Sequence, residues 1–556
     1  MNKKLVYILF GIIIGIALVL RLYQLGHIPA SPDWDEVALG YDAYSIIHTG
    51  KDEFGKFLPV VLRSFDDYKP ALYTYLAIPF VYLLGLSVFA VRMPSVIFGV
   101  IGVIATFFLV KELFKRDDLA LVSSFMMAIS PWSIQFSRVA FESNTGDTLN
   151  ILATLFLIKG RKKPWMLFLS AFFAGLSLYV YQSEKVFTPL FILVLVIIFC
   201  KDFIKLPKKY LVTAVVIGLI TVYPMVHFIL TNKEALLRVQ GTSIFSNQTQ
   251  ILQNDIQKLE SDRAHHDYLG LLLDNRRIEY GKIIISGYLS HFDPNWLMSG
   301  DISRHHVPNM GLIYIWEFPF ILIGIFFLVF GSFDKKTKAA ILSWFLIAPI
   351  PASITTGVPH AVRTLNFLPT WQIFTALGLI TSFYFIKNLK VGIGKYNLRK
   401  PLIVVCVTVF GLFAVLNFVY YLNQYFVQLN YYDGFEWQYG YKKVVPALEK
   451  FKKSYTKIVV SDREPMDKSY MFFLFYLKYP PQQYQTIGQN SSGGFAAHHA
   501  FDKFEFRPID WQHDATASGI LLVGVPSEFP PKTKALKTIY YQNGKKAMMI
   551  VDPRIQ

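Results

Sequence analysis

The sequence predicts a polytopic α-helical membrane protein with a small α/β segment at its C-terminus, and three observations predict it. Apolar runs long enough to cross a bilayer recur throughout residues 1–425. Only 17% of the 556 residues are charged, against 53% hydrophobic and 16% aromatic, and the mean hydropathy is positive, outside the range of a soluble globular chain. After residue 426 the pattern changes to an amphipathic helix and short apolar strands.

The first run, LVYILFGIIIGIALVL, is long and no small-residue cleavage site follows it, so it reads as an uncleaved first helix at 5–22. Further runs lie at 91–112, 118–137, 145–159, 164–181, 186–200, 209–230, 311–331, 337–355, 364–386 and 401–425, which makes about eleven transmembrane helices. The stretch 71–89 is an additional candidate, and the positive-inside rule decides against it. If 71–89 does not span and the N-terminus is cytoplasmic, the basic clusters at 111–118, 159–163, 201–209, 333–338 and 387–400 all fall on the cytoplasmic side. Counting it as a span would invert that pattern. It is therefore expected to be a juxtamembrane or re-entrant element, broken at Pro79.

This topology places 23–90, 231–310 and the tail on the outer face. The 231–310 loop mixes charged and apolar residues at helical spacing, as in helices lying along the membrane interface. The predicted division is a membrane part, 1–425, and an extracytoplasmic α/β domain, 426–556. In the latter YKKVVPALEKFKKSY reads as a helix, TKIVVSD and GILLVGVP as strands, and ALKTIYYQNGKKAMMIVD as a hairpin turning at Asn543 and Gly544. The patch GQNSSGGFAAHHA reads as a loop, and Asn247 and Asn490 match the glycosylation sequon.

Chemistry concentrates in the first outer loop, where SPDWDEVALGYDAYS begins just past the first span. Asp33, Asp35 and Glu36 stand at the start of a short helix. One of them, or Ser31, is accounted for as a helix cap, the others favouring its dipole. Other outer ends supply cations: Lys69, Arg92, Arg138, and Arg304 and His305 in SGDISRHHVPNMG, which also holds Asp301. His360 and Arg363 follow in GVPHAVRT, and Glu142 adds a further acid. Each cation has an ordinary role as a snorkelling group at a span end, but Arg92 and Arg138 lie where the positive-inside bias selects against idle cations. A few carboxylates ringed by Arg, Lys and His suit an anionic phosphate ligand and a proton-abstracting carboxylate.

The net charge of +17 is explained by topology, because the Lys and Arg residues lie between apolar runs and form no basic face for nucleic acid. Cys200 and Cys406 sit in apolar segments and imply no disulfide. The pairs His265-His266, His305-His306 and His498-His499 have neighbours pointing apart and make poor chelators. No metal ligand is assigned and no cofactor is required; a carboxylate-held divalent cation at the acid cluster is the alternative to a transition metal.

In order, Asp35-Glu36 after the first helix, Lys69-Pro70 closing the first outer loop, VRMPS at 91–95 and SPWSIQFSR before Glu142 resemble the GT-C glycosyltransferases of family 39. That family includes the protein O-mannosyltransferases and the lipid A aminoarabinose transferases. The resemblance covers roughly 1–425 and is strongest over the first 150 residues. It implies the GT-C fold with juxtamembrane helices in the first outer loop, and an enzyme of the plasma (inner) membrane. It implies transfer with inversion, at the outer face, of a monosaccharide from a polyprenyl-phosphate sugar donor to a lipid, glycan or protein acceptor. It assigns the general base to Asp35, with Glu36 as its catalytic neighbour. Substrate contacts then fall to Asp33, Lys69, Arg92, Arg138, Glu142, Arg304, His305, His360 and Arg363. The His-Pro-Pro sequence and inserted domain of the protein mannosyltransferases are not found. A transporter or flippase of a lipid-linked or anionic solute is the alternative, although such proteins carry paired halves or broken spans at mid-membrane, and here charge gathers at the outer ends.

Overall fold

The computed structural model describes residues 2–65, 67–232, 241–245, 248–300, 304–388, 392–393, 396–397, 399–487 and 499–555. Asp301, His498, both sequon asparagines and most of the 488–500 patch lie outside the described residues.

Every apolar run predicted to span contains a helix. In order they are α1 (Lys3–Leu22), then, after the loop helices α2 (Trp34–Thr49) and α3 (Leu72–Leu84), α4 (Val88–Phe114), α5 (Asp117–Ile129) with α6 (Pro131–Arg138), α7 (Ser143–Gly160), α8 (Met166–Ser177), α9 (Glu184–Phe203) and α10 (Lys208–Thr231). The helices Glu317–Phe330, Lys335–Ile347, Thr370–Asn388 and Arg399–Asn423 complete the set. Among the described residues five helices are long and apolar enough to cross a membrane by themselves, six if α5 and α6, bent by 54°, count as one span. The chain is a multi-pass membrane protein.

The stretch 71–89 forms α3, a helix of 13 residues and about 20 Å, the same length as the helix Lys335–Ile347. Pro79 does not break it, which corrects the expectation. The hydrogen bond lost at Pro79 is outweighed by burial of Tyr73, Thr74, Ala77 and Val81 along one side, and the helix ends instead at Gly85, φ 73°.

The first long loop holds α2 and a hairpin of β1 (Val61–Ser64) and β2 (Asp67–Pro70), antiparallel with Leu62 opposite Lys69. A capping box starts α2. The Asp33 carboxylate accepts the amides of Asp35 at 2.8 Å and Glu36 at 3.1 Å, while Glu36 accepts the Asp33 amide at 3.2 Å. Gly40 lets α2 lie flat between two neighbours, since a Cβ there would fall 2.6 Å from Val91 Cγ2 and 2.8 Å from Phe475 Cε2. The 231–310 loop contributes helices Gln248–Ala264, Tyr268–Leu273, Arg276–Ser290 and Pro294–Ser299, with Tyr268, Leu269 and Leu272 exposed.

Two short strands, β3 (Gly392–Ile393) and β4 (Tyr396–Asn397), precede the tail. The tail forms a six-stranded sheet from β5 (Lys457–Val460), β6 (His499–Phe501), β7 (Phe504–Phe506), β8 (Ile520–Gly524), β9 (Lys537–Tyr540) and β10 (Lys546–Val551). The order is β6-β7-β5-β8-β10-β9, with β5 parallel to β7 and β8 and the other pairs antiparallel. The predicted helix, two strands and hairpin all appear there, with Gly544 at φ 80° in the turn. Helices Tyr439–Leu448 and Ser469–Leu477 cover one face of the sheet and share a core with Val37, Leu39 and Tyr41 of α2. Polar contacts reinforce the junction. The Tyr41 hydroxyl donates to the Tyr479 carbonyl at 2.9 Å, and Gln485 Nε2 donates to the Asp52 carbonyl at 2.8 Å.

α2 is tied to the membrane helices by one buried ion pair. Arg92 Nε and Nη2 each donate to Glu36 at 2.8 Å, and neither side chain is more than 1% exposed. Breaking a buried, hydrogen-bonded pair from one side costs about 3–5 kcal/mol. Arg92→Met is therefore expected to lower the thermal unfolding midpoint in detergent by several degrees, with Arg92→Lys giving only partial recovery because an ammonium cannot reproduce the two-pronged contact.

Candidate active site

A cavity of about 270 Å³ opens between the start of α2, the β1–β2 hairpin, the turn between α6 and α7, and the segments at 304–305 and 360–362. Six of the sequence-predicted residues line it: Asp35, Lys69, Glu142, Arg304, His305 and His360. Two larger grooves, of about 600 and 690 Å³, lie between membrane helices, have almost wholly apolar walls, and contain none of the predicted residues.

Lys69, carried inward by β2, donates from Nζ to Asp35 Oδ1. Asp35 follows the cap, so its carboxylate faces the cavity while the next residue turns about 100° away. Arg304 lies across the opening. Its guanidinium pairs with Asp33 at 3.0 Å, and its Cζ sits 4.0 Å from the centre of the Trp34 ring. Gln135 Nε2 donates to the Arg304 carbonyl at 2.7 Å. Thus Asp33 acts at the edge of the site through Arg304, and it is the helix cap that the sequence suggested.

His305 is not a cation. It is packed among the rings of Phe136, Phe141 and His360, and burial, followed by the charge of Arg304, pushes its pKa down to about 3. Its Nδ1 is buried without a hydrogen-bond partner, leaving it for a ligand. His360 is oriented through its backbone amide, which donates to His291 Nε2 at 3.2 Å. The two carboxyls next to Asp35 are shifted the other way. Burial, then Asp35, raises Asp33 to about 6, and burial raises Glu142 to about 7, with Lys69 opposing and Asp35 adding.

Four predicted residues are elsewhere. Glu36 does not join Asp35 in the cavity, because it is consumed by Arg92, the Asp33 amide and the Ala140 amide at 2.9 Å. Besides Glu36, Arg92 donates to the carbonyls of Leu25, Pro29 and Ser31 at 2.9–3.2 Å. Arg138 donates to those of Leu20, Arg21, Tyr23 and Ile28 at 2.8–3.1 Å. Both arginines satisfy carbonyls that the end of α1 and the following turn leave open. That structural task, not a phosphate, explains cations at these span ends. Arg363 lines a smaller neighbouring pocket and donates to Thr355 Oγ1 and the Thr356 carbonyl at 2.6 Å.

Sequence reasoning missed the aromatic and amide walls. Trp34, Phe65, Tyr181 and Gln182 line the cavity, and Gln182 Nε2 binds the Tyr68 carbonyl at 2.9 Å, fixing the hairpin to the α8–α9 turn. Trp34 lay between two acids that drew attention away from it, while Tyr181 and Gln182 stood in a turn with no charge signal. Among the described residues no group of three or more His, Cys, Asp or Glu is arranged to hold a metal ion.

Residues 68–228 match the family model described as dolichyl-phosphate-mannose-protein mannosyltransferase. No curated protein matches the chain in sequence. Over nearly the whole length the fold is that of ArnT from Cupriavidus metallidurans. The apo structure superposes with a TM-score of 0.55 at 11% identity, covering 98% of each chain, and the structure bound to undecaprenyl phosphate with 0.54 at 11%, covering 99% of this chain and 98% of that one. The Archaeoglobus fulgidus oligosaccharyltransferase, apo form, aligns over 94% of this chain and 70% of its own at 11% identity and a TM-score of 0.48. The fold expected from the sequence resemblance is thus the one shared with ArnT, and the likeness to the mannosyltransferase family lies in residues 68–228.

Because Glu142 passes from mostly neutral to mostly charged between pH 6 and 8, the cavity gains a negative charge over that interval and its hold on an anion weakens. The ratio of wild-type to Glu142→Gln affinity for a lipid phosphate monoester, in which the ligand's own titration cancels, is expected to fall by about 3- to 10-fold from pH 6 to pH 8. A flat ratio in a binding titration would contradict this.

Proposed function

We propose that this protein is an inverting glycosyltransferase that moves a monosaccharide from a polyprenyl-phosphate donor to an acceptor hydroxyl at the outer face of the plasma (inner) membrane. The observation that carries the reading is the convergence of one carboxylate, Asp35, and two cations, Lys69 and Arg304, on one cavity. The fold shared with ArnT, a protein crystallised with undecaprenyl phosphate, supports the donor class. In this reading the chain crosses the membrane eleven times from a cytoplasmic N-terminus, and 426–556 is an extracytoplasmic α/β domain. The close packing of the tail on α2 supports a common side for the two.

The donor's phosphodiester carries one negative charge and enters between Lys69 and Arg304. It competes with Asp35 for the Lys69 ammonium and so releases the carboxylate to act. Asp35 takes the proton from the acceptor hydroxyl as that oxygen bonds to the anomeric carbon from the face opposite the phosphate. The carbon–oxygen bond to phosphate breaks, and its electron pair stays on the departing polyprenyl phosphate. The two cations stabilise the added charge there. A phosphate leaves without protonation, so a single carboxylate suffices, unlike the paired acids of glycosidases. His305 and His360 offer hydrogen bonds from the wall, and Trp34 and Tyr181 supply flat apolar faces of the kind that line sugar sites.

Asp35→Asn keeps the helix cap and removes the base. It is expected to lower turnover by about 10²- to 10⁴-fold, with polyprenyl-phosphate binding retained, when release of free polyprenyl phosphate from the sugar-linked donor is measured. Retention of turnover would sink the assignment, and transport of donor without its consumption would favour a flippase.

A further inference from the structure

A residue from the far end of the chain stands behind one wall of the cavity. Trp34, the first residue of α2, lines the cavity, and two cations sit by its ring. Arg304 Cζ and Lys468 Nζ are each 4.0 Å from the ring centre. Each cation is also paired with its own carboxylate, Arg304 with Asp33 at 3.0 Å and Lys468 with Asp467 at 2.5 Å. The result is a series of contacts from acid to cation to ring to cation to acid. It begins at the cap of α2 and ends in the tail, and the indole π-system attracts each cation.

The tail end of this series is firmly held. Lys468 immediately precedes the helix Ser469–Leu477, and its side chain is only 13% exposed. Ser469 Oγ donates to the Ser461 carbonyl at 2.7 Å and meets the Tyr441 hydroxyl at 3.0 Å, and Met466 is fully buried. The same helix packs on α2, with Tyr476 and Ser31 hydroxyls 3.1 Å apart. Lys468 does not line the cavity itself, so any effect it has on a ligand passes through Trp34.

We propose that Lys468 is a positioning residue for the site: it fixes the Trp34 ring, and through that ring the Arg304 guanidinium, so that the tail sets how strongly the cavity holds an anionic group. This rests on the reading of the cavity as the phosphate site of a glycosyl transfer. It assigns the tail a part in ligand binding through one side chain, in addition to its packing on α2.

The test uses the full-length protein in detergent with wild type, Lys468→Met, Lys468→Arg and Trp34→Phe. Emission from Trp34 is isolated by subtracting a matched Trp34→Phe variant in each background, and its quenching by acrylamide is measured, a readout that needs no ligand. Affinity for undecaprenyl phosphate and the donor KM and kcat are then compared. The expected result is stronger quenching of Trp34 in Lys468→Met but not in Lys468→Arg, an affinity loss of about 5- to 30-fold in the Met variant that the Arg variant recovers, and a raised donor KM with kcat little changed. Unchanged quenching and affinity in Lys468→Met would overturn the proposal, as would a Lys468→Arg variant that loses affinity to the same extent. If the Met variant does not accumulate as folded protein, Lys468→Gln gives the same readouts. If wild type itself fails to bind undecaprenyl phosphate, the phosphate reading of the cavity falls, and the quenching result alone then decides whether Lys468 positions the ring.

Discussion

Arg92 and Glu36 meet inside the protein through two parallel 2.8 Å hydrogen bonds, and the placement of α2 against α4 depends on them. Neither charge reaches water, so the cost of desolvation is met by the fork itself and by five further partners, the carbonyls of Leu25, Pro29 and Ser31 on one side and the amides of Asp33 and Ala140 on the other. The pair therefore fixes the turn after α1, the cap of α2 and the chain beyond α6 at one point. Successive residues on a helix point about 100° apart, so once Glu36 is turned inward Asp35 is turned toward the cavity. Three acids that look equivalent in the sequence become a cap, a cavity carboxylate and an anchor.

The electrostatics of the cavity follow from that separation. Asp33 holds Arg304 at the rim, and Asp35 holds Lys69, so each cation is kept in place by an acid until an anion competes for it. Burial removes the charge from His305 and brings Glu142 close to neutrality near pH 7. The Lys69 and Arg304 charges, and not His305, are then what a phosphate would meet. The tail participates through Trp34 and Lys468, in the proposal made above.

Much of this was legible in the sequence because membrane helices declare themselves by hydropathy, and every predicted apolar run contains a helix. The reading of 71–89 came from charge counting, and its 13 residues form a helix of the same length as Lys335–Ile347. Pro79 was misread because a proline's cost is local, whereas the packing that outweighs it is tertiary. Asp35, Lys69, Glu142, Arg304, His305 and His360 were found because they are charged or titratable groups at span ends, and six such groups do converge. Arg92 and Arg138 carry the same signal for another reason: unpaired carbonyls at the end of α1 need donors, and the sequence does not show where a helix end is buried. Trp34, Tyr181 and Gln182 have no charge to mark them, and the contact of Lys468 with Trp34 joins residues too far apart in the chain for any spacing argument.

The central claim is that the lipid phosphate is held by Lys69 and Arg304 beside Asp35. The measurement that bears on it most directly is an electron cryomicroscopy map of the protein with bound polyprenyl phosphate. Phosphate density is expected within hydrogen-bond reach of both Lys69 Nζ and the Arg304 guanidinium, with the Lys69–Asp35 contact loosened. Phosphate density at another site, with Lys69 still closed on Asp35, would contradict it.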